Sequence, residues 1–432
     1  MSKHYPRIQT LSAGLTRLHF KAVGMLLLAT LAVAPALAAG LLDDFGRAQG
    51  FDPTYAVSLT GNESARLQAK LAGMSYFPEG RISSTQLDNE NSSRLTISIT
   101  QPILSYDRWL SLQEKDPRMA SAAAQLELNQ QDLALRLFRA VSTLAEAREK
   151  LVLNGASITA INNQLQSARR LLELGQGTIT EVRDAEVRMA QTQSETFTLQ
   201  ASLATAERQY TAIVGQKPLA TSYSLAKGIQ ALNLPPLQDL MDRARVRNPG
   251  IRASQQTTLL AEIGTRRAYA ALLPSVVATA QQSKAGTGVT TSGAGITLRM
   301  EVPLQAGTFF KNEAAALELK KSRQQERDAL ERLDLDVERM HTQLMAVQAE
   351  LSVRSAGIRA AELSLDANEQ SFRGGFRTRT DVLNAIKTLY QARADYASAL
   401  LRLGDNLLSL QLTSAQDLDL ALRQVQDQVF SR

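Results

Sequence analysis

The sequence contains no cysteine. That excludes disulfide staples, thiolate metal ligation and a cysteine nucleophile, and it is unlike a lipoprotein, whose acylated residue is an N-terminal cysteine. It does not fix the compartment. Histidine is almost as scarce: His4 and His19 lie near the start, which leaves His341 alone in the body of the chain. Neither a zinc site nor a Ser-His-Asp site has the residues it needs. The acids Asp334, Asp336 and Glu338 are two apart in a helical stretch, so they fan around the axis instead of converging. No glycine-rich phosphate loop follows a strand. No catalytic residue, metal or cofactor is therefore expected, and the energy for any transport must come from a partner. Long apolar runs are missing too: past the first forty residues no segment approaches the ~20 apolar residues of a spanning helix. If the chain crosses a membrane, strands must do it. The basic excess is small. Formal charge is +6, but Lys3, Arg7, Arg17 and Lys21 supply four of it, leaving 44 basic against 42 acidic residues, and no nucleic-acid partner is expected.

What is present begins with a secretory signal over residues 1–38. Basic residues run to Lys21, an apolar stretch spans Ala22 to Ala34, and Ala36-Leu37-Ala38 makes an A-x-A cleavage site. Export is expected. The body is organised around a stretch that occurs twice. Leu137, Leu144, Leu151, Ile158, Leu165 and Leu172 lie seven apart, and Val337, Leu344, Leu351, Ile358, Leu365 and Phe372 repeat them 200 residues later. Both series reach a glycine turn, at Gly175 and Gly375. Both return along a second series, Val182, Met189, Leu203 and Tyr210 against Val382, Leu389, Leu403 and Leu410. The duplicated unit is an antiparallel helical hairpin.

Strands are predicted in pairs. Leu95, Ile97, Ile99 and Ile103 alternate with Thr96, Ser98 and Thr100, and Ile296, Leu298, Met300, Val302 and Leu304 alternate with Thr297, Arg299 and Glu301. A weaker strand precedes each, starting near Pro78 or Pro274, across polar loops at 86–93 and 284–295. Proline landmarks agree: Asp52-Pro53 matches Asn248-Pro249 and Pro78 matches Pro274, both at an offset of 196, and Pro102 matches Pro303 at 201. The chain divides into a signal (1–38), repeat one (39–214), a linker (215–236), repeat two (237–412) and a polar, helical C-terminal tail (413–432). Each repeat reads as a short helix (53–72; 237–272), strand, loop, strand, long helix (117–172; 309–372), turn and returning helix (179–214; 379–412).

Geometry then constrains assembly. A helix over 117–172 runs ~80 Å at ~1.5 Å per residue, and the seven-residue spacing favours a coiled-coil seam. Ala140, Ala147, Asn154, Ile161 and Ala168 form a second, mostly small row beside the seam. Four strands cannot close a barrel, because transmembrane barrels begin at about eight and an open sheet in lipid leaves its edges unpaired. Three copies supply twelve strands and a ring of helices below them. The predicted fold is α+β and mainly α-helical, with four strands per protomer, and three copies would make a continuous tube if the strands span a membrane. The competing reading is a soluble periplasmic coiled-coil adaptor, which needs one hairpin and β-rich halves around it.

The residues at three places resemble the TolC family of outer-membrane efflux proteins. These are Gln101-Pro-Ile-Leu followed by Trp109 to Lys115, and the turns Gly175 to Ala185 (GQGTITEVRDA) and Gly375 to Ala385 (GFRTRTDVLNA). The resemblance implies a homotrimer whose outer-membrane β-barrel, four strands from each protomer, is continuous with a long α-helical barrel that extends into the periplasm. It also implies a periplasmic adaptor and an inner-membrane ABC or RND-type pump as partners, and a passive exit duct as the function. It implies a gate at the periplasmic tip as well, with Glu181 as an acidic link on the first turn, Arg377 as its basic partner on the second, and Asp381 as a constriction acid. Two positions depart from the family. A gating tyrosine falls at Phe372, which has no hydroxyl, and a second constriction acid falls at Asn384. A less tightly latched and less cation-favouring gate follows. Leu174, Gly175, Gly374 and Gly375 are where the adaptor is expected to dock. Cargo is not encoded; the absent lipid-bearing cysteine leans toward protein secretion beside an ABC transporter, or an exit shared with drugs.

Overall fold

The computed structural model describes residues 40–431, apart from 88–91, 221, 227, 229–231, 233, 271–272, 286–287 and 300–306. The expected signal over 1–38 lies outside the described residues, as do Met300, Val302, Pro303 and Leu304.

Helices α1 (Leu41–Phe51) and α2 (Pro53–Gly73) meet at Asp52. A residue before proline is driven out of the helical region, so α1 stops there, and Pro53 at the first position starts α2. The Asp52 carboxylate accepts from the Tyr55 amide at 2.6 Å and holds Arg136, on the first long helix, at 2.9 and 3.1 Å. The second half repeats the device with an amide side chain. Asn248 accepts from the Gly250 amide at 2.8 Å and donates to the Thr413 carbonyl at 2.9 Å. The single helix expected over 237–272 is therefore two, α6 (Leu237–Arg247) and α7 (Pro249–Ala270), and α1 adds a helix that the sequence reading omitted.

Strands β1 (Glu79–Leu87), β2 (Ser92–Leu104), β3 (Ser275–Ala285) and β4 (Thr290–Arg299) form one antiparallel sheet in the order β1-β2-β3-β4. The two hairpins join through β2 and β3, with Ser98 opposite Gln281 and Thr96 Oγ1 3.1 Å from Ser283 Oγ. Both connections are shorter than expected. Residues 290–295, which read as loop because of Gly293 and Gly295, pair with β3, a tolerable place for glycine on an edge strand. Ile82, Leu95, Ile97, Ile99, Ile296 and Leu298 are all exposed. Neighbours in the register place them on one face, an apolar surface that water does not favour.

A short helix, α3 (Tyr106–Gln113), leads from the sheet into α4 (Lys115–Glu173), and α5 (Ile179–Val214) returns. In the second half α8 (Gly307–Arg373) and α9 (Arg379–Thr413) do the same. At 59 and 67 residues, α4 and α8 run about 90 and 100 Å. Their heptad leucines build the main core: Leu137 and Leu144 of α4 and Val337, Leu344 and Leu351 of α8 pack with Leu400, Leu403 and Leu407 of α9. Farther along α4 both rows contribute, Leu165 from the first and Asn154, Ile161 and Ala168 from the second.

The C-terminal segment differs from a polar tail. Helix α10 (Leu418–Val429) buries Ala421, Leu422, Val425 and Val429 in the main core. Its end pairs with the linker through Leu225 and Phe430, and the Ala226 amide donates to the Val429 carbonyl at 2.9 Å. Nearby, Tyr210 and Tyr223 both donate to the buried Asp44 carboxylate, which Arg47 meets at 3.0 Å. Burial raises both phenols' pKa, and the Asp44 charge raises it further.

Candidate functional site: the paired hairpin tips

The turn after α4 and the turn after α8 have the same backbone. Gly175 (φ 72°) and Gly375 (φ 79°) occupy the left-handed region that side chains disfavour. The following residues close each helix identically: Gln176 donates to the Leu171 carbonyl at 2.8 Å, and Phe376 to the Ser371 carbonyl at 2.9 Å. Thr178 and Thr378 then cap the returning helices, each accepting from the amide three residues on.

Beyond the caps the two tips diverge. Asp381 reaches back to the Thr378 amide at 2.9 Å and its hydroxyl at 2.8 Å, completing a capping box. These two bonds, then the charge of Arg377, hold its carboxyl below the ordinary value. Glu181, in the matching position, turns across to the second hairpin, its carboxylate 3.7 Å from Arg379 Nε. The first helical residues differ most. Ile179 is 55% exposed, whereas Arg379 is 1% exposed. The chain thus shows water an aliphatic side chain on one tip and buries a cation on the other.

Arg379 touches all three neighbouring helices. Its Nη1 donates to the carbonyl and to Oε1 of Gln164 on α4 at 3.1 and 2.9 Å, and Glu181 faces it from α5. Its guanidinium carbon sits 4.4 Å from the centre of the Phe372 ring on α8. A desolvated cation over an aromatic face gains ~2 kcal/mol, while each buried donor left without an acceptor costs ~1–3 kcal/mol. Nε and Nη2 have no hydrogen-bond partner. Burial pushes this guanidinium's pKa down and Glu181 opposes the shift.

Around this cation lies a small apolar layer, separate from the main core. Ile161, Leu165, Ala168, Val182, Ala185, Val382, Leu383 and Ile386 compose it, with Phe372 and Leu172 packed against it. Above it the helices part around a polar groove of about 580 Å³ lined by Lys150, Asn154, Thr192, Lys387 and Tyr390. On the α5–α9 seam Arg188 donates to Asn384 at 3.0 Å and the Thr380 hydroxyl to Asp184 at 3.2 Å.

The residues singled out from sequence fall into two groups. Glu181 and Phe372 meet, through Arg379. Arg377 does not reach Glu181 within the chain; it is exposed, precedes α9, and lies 3.9 Å from Asp381 four residues on. Asn384 is engaged by Arg188. Leu174, Gly175, Gly374 and Gly375 line the two turns, where Phe376 is 89% exposed. Sequence reasoning missed Arg379. Its signal was spacing: Arg379, Val382, Ile386 and Leu389 follow the three-four pattern of a buried row, so a cation stood at a core position.

Among the described residues no helix is long and apolar enough to cross a membrane. The sequence model of the outer membrane efflux protein family matches residues 53–216 and 240–415. The outer membrane efflux protein BepC of Brucella suis is 28% identical over 277 residues, 62% of this chain and 60% of that protein's length. The proteases secretion protein PrtF of Dickeya chrysanthemi is 25% identical over 334 residues, 74% and 72% of the two chains. The outer membrane protein TolC of Vibrio cholerae is 23% identical over 346 residues, 76% and 79%. Among solved structures, the outer-membrane channel OprN superposes with a TM-score of 0.74 at 17% identity, covering 88% of this chain and 90% of that one. This last likeness is one of fold. The chain belongs to the outer membrane efflux protein family, whose members are channels of the outer membrane and not enzymes.

Proposed function

We propose that this chain is the passive exit duct of a tripartite export system, with its sheet in the outer membrane and its helices in the periplasm. One observation supports it above the rest. A four-stranded sheet with an exposed apolar face and, among the described residues, unpaired outer edges on β1 and β4 is joined to helices about 90–100 Å long. Such a sheet is incomplete in lipid, and three copies joined edge to edge make a closed twelve-stranded barrel. Exposed Val152, Phe197, Val353 and Leu363 on the long helices supply surface for the matching ring below. The two halves act as one repeat, so the ring alternates first and second hairpins. Light scattering of the detergent-extracted protein tests this: a trimer in the outer-membrane fraction supports the duct, and a soluble monomer overturns it in favour of a periplasmic adaptor.

The tips are the gate, formed by Glu181, Phe372, Arg377, Asp381 and Asn384, and a periplasmic adaptor docks on Leu174, Gly175, Gly374 and Gly375. An inner-membrane ABC or RND-type pump supplies energy and selects cargo. BepC is named for efflux and PrtF for protease secretion, so both small toxic compounds and proteins are candidate cargo. Deleting the gene and assaying drug susceptibility beside secreted protein separates them.

A further inference from the structure

We propose that Arg379 is the latch of each tip: its buried guanidinium, laid on the Phe372 ring and shared between Gln164 and Glu181, ties the second hairpin to the first and must be withdrawn before the tip dilates. The proposal rests on the duct reading, and it assigns the holding role to a residue outside the expected gate set.

Three features carry it. First, Arg379 alone joins α9 to α4, α5 and α8 through one desolvated side chain among the tip contacts described above, whereas the Arg188–Asn384 and Thr380–Asp184 bonds are exposed. Water competes for exposed bonds and has no access to the buried one. Second, Phe372 contributes through its face. A phenol hydroxyl is not needed where a cation stacks on the ring, so the looser gate inferred from the missing hydroxyl leaves out the contact that replaces it. Third, the latch is incompletely satisfied. Nη2 lacks a hydrogen-bond partner and Nε meets Glu181 only at 3.7 Å although the side chain is buried, so this arrangement carries a standing penalty that opening relieves by exposing the cation to water. A fully bonded cation would lock the tip; this one holds it and can let go. The polar groove above the tip layer separates this layer from the main core, so the layer can rearrange without disturbing the heptad packing.

The test uses the full-length protein in planar lipid bilayers. Wild-type channels are expected to conduct weakly, and Arg379→Ala, Phe372→Leu and Glu181→Gln each to raise single-channel conductance severalfold, in that order. Arg379→Lys, which keeps charge and loses the planar fork, is expected in between. Arg377→Gln is expected to change conductance less than any of them. Thermal unfolding and trimer yield are followed in parallel. If Arg379→Ala does not assemble, Phe372→Leu and Glu181→Gln decide. Wild-type conductance in well-assembled variants overturns the latch, as does lower stability or yield with no rise in the conductance of the surviving channels. A wild-type protein that forms no channel overturns the duct reading and the latch with it.

Discussion

The two hairpin tips share a backbone and differ in what they bury. Glycine turn, threonine cap and acidic third residue recur at an offset of 200, yet the first helical residue is exposed Ile179 on one side and buried Arg379 on the other. Where the acid is spent on its own cap, as at Asp381, its contacts stay within its own turn. Where it is free to reach outward, as at Glu181, it engages the other hairpin. Equal backbones with unequal polar commitments give one chain two tips that make different contacts. The same contrast appears at the far end of the hairpins, where Asp52 holds its partner by charge and Asn248 by amide bonds alone.

The largest asymmetry should appear at those two helix junctions. Asp52→Ala removes a cap and one of the two carboxylate partners of Arg136, which keeps Asp132, and is expected to destabilise by about 2–3 kcal/mol, against about 1–2 kcal/mol for Asn248→Ala. Chemical unfolding of the purified variants measures both; equal losses would break the comparison. Acid gives a second view of the same pair. Burial raises the Asp52 pKa, but the Arg136 and Tyr55 hydrogen bonds outweigh it and the net value lies below 3.8. A depressed carboxylate contributes stability that is fully present above the unfolded pKa and is lost as pH falls through the folded one. Stability of the wild type should therefore fall as pH drops below about 3.8, and Asp52→Asn should flatten that limb, read as unfolding midpoint against pH.

Next in size are the turns. Gly175→Ala and Gly375→Ala each force a side chain into the left-handed region and should each cost about 1–2 kcal/mol. Matching losses would sharpen the claim that the tips are alike in backbone, and a large mismatch would show that one turn is restrained by something further. The smallest effect is at the caps. Thr378→Ala breaks a reciprocal box and should cost about 1 kcal/mol, while Thr178→Ala loses a single bond and should cost roughly half that.

Much of this was legible because it is periodic or local. The heptad rows, both glycine turns and the returning helices follow from spacing alone, and those helices begin at Ile179 and Arg379 as the expected spans had them. Three features were not. Thr290 to Gly295 reads as loop because its small residues carry no alternation, and only the neighbouring strand makes it β4. Ala421, Leu422, Val425 and Val429 follow helical spacing but are outnumbered by Asp, Gln and Arg, so the buried stripe of α10 passed as a polar tail. Arg379 was hidden by its charge. A cation beside a turn is ordinarily solvated, and its burial depends on Gln164 arriving from a helix distant in sequence as well as on Phe372 packing from across the turn.

The chain has no cysteine of its own, so an engineered pair can report on the tips without interference. The most direct measurement is single-channel conductance of Arg379→Ala carrying Asp184→Cys and Thr380→Cys, whose parent side chains are hydrogen-bonded at 3.2 Å across the two hairpins. Low conductance when oxidised, rising severalfold on reduction, is the result this account predicts. Conductance that is the same before and after reduction, with the cross-link shown to form, would contradict it.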